Sequence, residues 1–127
     1  MNEPGLQEFL EHIAEAGREA LEFSSGMTQE QLLANRMALR AVERSIEIIG
    51  EAANKITDKY PRFAADHPEV GWRELIGFRH RLAHAYFKIK YQYLWDAVAR
   101  DIPELEKKLP ALRAAATAHL RGQDPAR

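Results

Sequence analysis

The 127-residue sequence predicts an all-α protein, an antiparallel helical bundle of about four or five helices. Three observations carry that expectation. Apolar residues recur at the three- and four-residue spacing of amphipathic helices over most of the chain. No segment shows the period-two alternation of a half-buried strand. The chain also fits one compact domain, long enough to bury a core without staples and too short for two ordinary domains. Residues 1–121 are therefore read as a single domain and 122–127, from Gly122 onward, as a frayed tail.

The elements follow in order. Leu6, Phe9, Leu10, Ile13, Ala20 and Leu21 lie at helical spacing, and Ser24-Ser25-Gly26 supplies a stop. Thr28, with Gln31 three residues on, matches a capping box and opens a helical region to about Thr57, with a break expected near Asn35. Its apolar stripe is Leu39, Val42, Ile46, Ile49, Ala53 and Ile56. A second stripe of Ala38, Ala41, Ser45, Ile48 and Ala52 is small enough to admit a neighbouring helix. The remaining face carries Arg40, Arg44, Glu47, Glu51 and Asn54. From Tyr60-Pro61 through His67-Pro68 to Gly71 the period lapses, which predicts a loop with at most a short helical turn. The stripe resumes as Trp72, Leu75, Ile76, Leu82, Ala83 and Tyr86. A last pattern runs from Tyr91 through Leu94, Val98, Ile102, Leu105, Leu109 and Leu112 to Ala116. Pro103 and Pro110 interrupt it without changing its phase, which predicts two helices nearly in line or one kinked helix.

Composition narrows the chemistry. With no cysteine, disulfides, thiolate metal sites and cysteine nucleophiles are excluded. A reducing compartment fits, and a soluble, cytoplasmic protein is the expectation, because Met1–Leu10 holds Glu3, Pro4 and Glu8 where a secretory signal needs an apolar run. A formal charge of −1 gives the whole molecule no strong pull on nucleic acid, so any such binding must rest on a local patch. One is legible. Between Glu74 and Asp96 no acidic residue occurs, while Arg79, Arg81, Lys88 and Lys90 supply positive charge and His80 and His84 add titratable rings.

Within that stretch Arg79 falls on the stripe expected to face the core, where an unpaired guanidinium would cost several kcal/mol. It must meet a partner or a cleft. Five residues on comes His84, then Tyr86. Arginine and histidine suit RNA cleavage without a metal. A histidine with an ordinary pKa of about 6.5 can exchange a proton with the ribose 2′-hydroxyl or the leaving oxygen near neutral pH. A guanidinium fork can hold the phosphate and its developing charge. Arg81, Lys88 and Lys90 are candidate RNA contacts. Phe78, Phe87, Tyr91 and Tyr93 are interleaved with them and offer faces for unpaired bases. One histidine per chain is thin for both acid and base roles, and two copies across a dimer axis would supply the second.

The string Phe78-Arg79-His80-Arg81-Leu82-Ala83-His84-Ala85-Tyr86-Phe87 resembles the R-x4-H-x-Y signature of the HepT family of HEPN-superfamily toxins. Ile46-Glu47-Ile48-Ile49-Gly50-Glu51-Ala52-Ala53 resembles that family's other recurrent block, and Trp72, Trp95 and Asp101-Ile102-Pro103-Glu104-Leu105 fall in the matching order. The resemblance implies a HEPN-like bundle that dimerises, gathers the arginine and histidine of both subunits into one cleft and cuts RNA, tRNA or mRNA, as a metal-independent endoribonuclease with no cofactor. It further implies a toxin paired with a minimal nucleotidyltransferase (MNT) antitoxin that silences it by AMPylation of the motif tyrosine, here Tyr86. The family most often has asparagine after the motif arginine. Here that position is His80, a second acid or base or a phosphate contact.

Plainer readings stand beside these. His80 and His84, at i and i+4, have zinc spacing, but no glutamate follows His80 and no third ligand is evident, so no metal site is expected. Phe78, Phe87, Trp72 and Trp95 suit a bundle core, with Tyr91 and Tyr93 undecided. Arg44 with Glu47, and Glu51 with Lys55, read as exposed helix pairs worth a few tenths of a kcal/mol. The sharper expectation for Glu47 and Glu51 is that one lines the cleft and grips Arg79 bidentately. The alternative function is a non-catalytic HEPN-type module that binds nucleotide or a nucleotidyltransferase partner.

Overall fold

The computed structural model describes residues 5–84 and 87–121, without the side chains at 84, 87, 88, 120 and 121. Among the described residues there are seven α-helices and no strand: α1 (Leu6–Phe23), α2 (Gln29–Ala34), α3 (Arg36–Lys59), α4 (Pro61–Asp66), α5 (Trp72–His84), α6 (Phe87–Asp96) and α7 (Ile102–Arg121). α2 and α4 are six-residue pieces, and the five longer helices form the expected all-α bundle.

Local chemistry explains the breaks. Gly26, at φ 74°, takes the left-handed conformation after α1. Thr28 and Gln31 form the reciprocal capping box: the Thr28 hydroxyl accepts from the Gln31 N–H at 3.1 Å, and the Gln31 side chain accepts from the Thr28 N–H at 2.9 Å. The break near Asn35 is a cap, since its side-chain oxygen accepts from the Ala38 N–H at 3.0 Å and starts α3. Pro61 opens α4 at a position where a missing N–H costs nothing. A 3₁₀ turn over Pro68–Val70 and left-handed Gly71 then lead into α5. Between α6 and α7, a π-helical turn spans Ala97–Asp101. Pro103 has no N–H to give the Ala99 carbonyl, so the ladder loosens there while the flanking Asp96 and Ile102 keep helical conformation.

α3 is the central helix. Leu39, Val42, Ile46, Ile49, Ala53 and Ile56 are buried, meeting Leu6, Leu10, Ile13 and Ala20 of α1 in one core that also takes in Leu94, Ile102, Leu105, Leu109 and Leu112. The small-residue stripe does what its volume allows. Ala38, Ser45 and Ala52 are buried, and beside them Gly50 lets α5 approach so closely that a methyl group there would lie 3.0 Å from the Leu75 carbonyl oxygen. The Trp72 indole N–H fixes the start of α5 by donating to the carbonyls of Ala64 at 3.0 Å and His67 at 3.1 Å. No described helix is long and apolar enough to cross a membrane.

Candidate active site

Gly50 sets the geometry. Because α3 has no side chain at that point, the backbone of α5 seats against it, and Arg79 begins only 4.0 Å from where a β-carbon of residue 50 would lie. Beyond this seat the helices part around a cleft of about 510 Å³. Glu51, Asn54 and Lys55 line it from α3; Ile76, Arg79, His80 and Ala83 line it from α5. The spacing explains the choice of residues, since Glu51 and Lys55 are one turn apart on α3, as are Ile76, Arg79 or His80, and Ala83 on α5.

Arg79 departs from expectation. It is exposed, not on the core stripe; the buried residues of α5 are Trp72, Leu75 and Leu82, with Phe78 half-buried. At 100° per residue the stripe through 75, 78 and 82 leaves position 79 on its shoulder, and the close seat at Gly50 turns that shoulder toward the cleft. The guanidinium therefore bears no burial penalty and stands ready for a ligand. Glu47 and Glu51 do not grip it: Arg44 holds Glu47 at 3.3 Å and Glu51 at 3.7 Å, and among the described residues Arg79 makes no ion pair. The Arg44–Glu47 pair matches the plain reading. Glu51 pairs with Arg44, two turns away on α3, and not with Lys55 among the described residues.

The other candidates divide. His80 lines the cleft beside Arg79. α5 ends at His84, one residue beyond Ala83 of the cleft wall; the His84 and Lys88 side chains and the whole of Tyr86 lie outside the described residues. Arg81 is half-buried, its guanidinium 5.7 Å from the ring centres of both Phe78 and Tyr93, cation–π contacts of which the second joins α5 to α6. Lys90 is bound to Glu43 at 2.6 Å on a second cleft lined also by Leu33, Arg36, Leu39, Arg40 and Tyr91. Tyr91, Tyr93, Trp95 and Phe78 all pack half-buried against the core. Sequence reasoning placed Asn54 on a polar face and Lys55 in a surface pair, and did not bring either to the site. The signal available was their spacing of one turn from Gly50 and Glu51.

A scan of protein families matches residues 13–112 to the one described as "Ribonuclease HepT-like". The chain belongs to the HepT-like ribonuclease family. Its relatives include "Probable ribonuclease HepT" of Thermococcus cleftensis, 40% identical over 107 residues, 84% of this chain and 94% of that one. A candidate RNase of Methanocaldococcus jannaschii is 35% identical over 109 residues, 86% of this chain and 97% of its own. Another, of Caldanaerobacter subterraneus subsp. tengcongensis, is 36% identical over 101 residues, 80% and 88%. No solved structure gives a significant match. The HepT-like match contains both walls of the cleft, so the Arg79–His84 segment and the Gly50 seat lie inside the shared region.

Proposed function

We propose that this HepT-like chain is an endoribonuclease that cuts RNA at the cleft between α3 and α5 without a metal ion. The observation that carries it is the exposed Arg79, paired with no carboxylate among the described residues, on the wall of a cleft that also holds His80 and Ala83, the residue before His84. The guanidinium binds the phosphate and stabilises charge as the ribose 2′-oxygen attacks it. His84 transfers the proton, taking it from the 2′-hydroxyl or giving it to the departing 5′-oxygen. Attack forms the 2′-oxygen–phosphorus bond and breaks the bond to the 5′-oxygen, leaving a cyclic phosphate and a free 5′-hydroxyl. The second proton-transfer group comes from His80 or from His84 of a second copy, the cleft being shared across a homodimer axis. Glu51 is the one carboxylate on the cleft lining, which suits a site that relies on cationic side chains for charge.

In this reading the protein is the toxin of a toxin–antitoxin pair acting in the cytoplasm. Its partner is a minimal nucleotidyltransferase that modifies Tyr86, two residues past His84, and an adenylyl group there would put a bulky anion beside the phosphate site. The test is cleavage of a total tRNA pool by purified protein in EDTA, beside Arg79→Ala and His84→Ala, after mass spectrometry confirms an unmodified Tyr86. Cutting by the wild type that both substitutions abolish is the expected result. A clean wild type that leaves the pool intact would overturn the nuclease in favour of a module that binds nucleotide or its nucleotidyltransferase partner.

A further inference from the structure

Two walls face each other across the cleft, and the proposed chemistry uses only one. Arg79 and His80 come from α5; Asn54 and Lys55 stand opposite on α3. Both α3 residues are exposed. Among the described residues, the Lys55 ammonium makes no ion pair and the Asn54 amide makes no side-chain hydrogen bond; only the backbone carbonyl of Asn54 is engaged, accepting from the Thr57 hydroxyl at 3.0 Å. The neighbouring acid, Glu51, pairs with Arg44 at 3.7 Å. The cleft therefore holds two cations on opposite walls with the Asn54 amide beside one of them, and its volume of about 510 Å³ exceeds what one phosphate needs.

A single phosphate held by Arg79 leaves Lys55 without a counter-charge. A nucleotide chain supplies one, because its phosphates recur along the strand with a base between them. An asparagine amide carries one donor group and one acceptor, the pattern that pairs in two-pronged fashion with adenine. A single strand exposes that base edge.

We infer that Lys55 and Asn54 form the substrate-reading wall of the site: Lys55 holds the phosphate next to the one gripped by Arg79, and Asn54 hydrogen-bonds the intervening base, favouring adenine. This rests on the nuclease reading for its cleavage measurements but not for its binding measurements. The substrate is then single-stranded RNA, since in duplex RNA that adenine edge lies in the deep, narrow A-form major groove, where side chains do not reach it.

The experiment uses full-length protein and short single-stranded RNAs that differ only in the base at the cleavage step, with 2′-O-methyl copies that bind but cannot be cut. Lys55→Gln is expected to raise KM about five- to tenfold with kcat changed less than about twofold, and to lower the slope of log affinity against log salt by about 0.7. Lys55→Arg restores both. Asn54→Ala is expected to cut the preference for adenine about tenfold and to leave the salt slope unchanged. Lys107→Gln, which removes the same charge from the far side of α7, is the control, and melting curves confirm that each variant is folded. If Lys55→Gln behaves as Lys107→Gln does, or Asn54→Ala keeps the wild-type base profile, the assignment is overturned. A wild type that binds the 2′-O-methyl strand with the Lys55-dependent slope yet cuts none of the RNAs would overturn the nuclease and sustain the reading wall; one that neither binds nor cuts would overturn both.

Discussion

The cleft between α3 and α5 is lined by two cations, Lys55 and Arg79, and one carboxylate; the cleft between α3 and α6 is lined by three cations, Arg36, Arg40 and Lys90, and also one carboxylate. By net charge the second is the better anion site. Pairing reverses the order. Glu43 binds Lys90 at 2.6 Å and Arg40 at 3.4 Å, and with side-chain exposures of 22% for Lys90 and 16% for Glu43 that pair is poorly screened by solvent. In the first cleft the carboxylate pairs with Arg44, on the same helix, and among the described residues neither cation makes an ion pair. Positive charge is available to a ligand only where the protein has not already spent it on itself.

The sharpest way to break this comparison is Arg79→Ala. If the first cleft is the active one, the RNA cleavage rate falls by about 10²–10³. Because Arg79 is exposed and makes no ion pair among the described residues, stability should move by less than about 0.5 kcal/mol, a denaturation midpoint close to wild type. A large loss of stability would instead return Arg79 to the core.

Next in size is Gly50→Val. The new side chain meets the Leu75 carbonyl oxygen, a backbone atom that cannot swing aside, and overpacking at the α3–α5 seat should cost about 1–3 kcal/mol in urea unfolding. Surviving folded protein should lose cleavage activity, since α5 has to move away from α3. Full activity at unchanged stability would show that the close seat does not position Arg79.

A smaller effect comes from Glu43→Gln. Freed from their shared acid, Lys90 and Arg40 should raise affinity for single-stranded RNA about two- to fivefold at low salt, the gain vanishing as salt is raised. An unchanged affinity, read by fluorescence anisotropy, would mean that pairing is not what silences the second cleft.

The smallest expected effect lies away from both. At the entry to α5, hydrogen bonds from its own backbone N–H and from His67 hold the Glu69 carboxyl below its ordinary value of 4.5. A depressed carboxyl stabilises the fold above its unfolded pKa and loses that contribution as pH falls through the folded value. Melting temperature in wild type should therefore drop slightly more between pH 5 and 3 than in Glu69→Gln, and parallel curves would remove Glu69 from the account.

Much of the bundle was legible in the residues because helix signals are local. The Thr28–Gln31 box, the break at Asn35 and the stripe from Leu39 to Ile56 each depend on atoms within about one turn of the chain, or on a repeat that any helix obeys. The motif segment was legible in the same way, as a spacing and as a family resemblance. The loop expected from Tyr60 to Gly71 proved mostly helical in short pieces, because Pro61 and Pro68 serve as first-turn residues there rather than as breakers.

The sequence by itself thus determined which stretches are helical, where they are capped, and which titratable groups gather between Glu74 and Asp96. Only the tertiary structure decided that Arg79 opens onto a cleft, that Asn54 and Lys55 share it, and that Lys90 is spent on Glu43. Periodicity sets the angle at which a side chain leaves its own helix. Whether that angle ends in core, solvent or a cleft depends on how closely the next helix approaches, which here turns on the missing side chain of Gly50 and on a contact between residues 43 and 90 that no local pattern encodes.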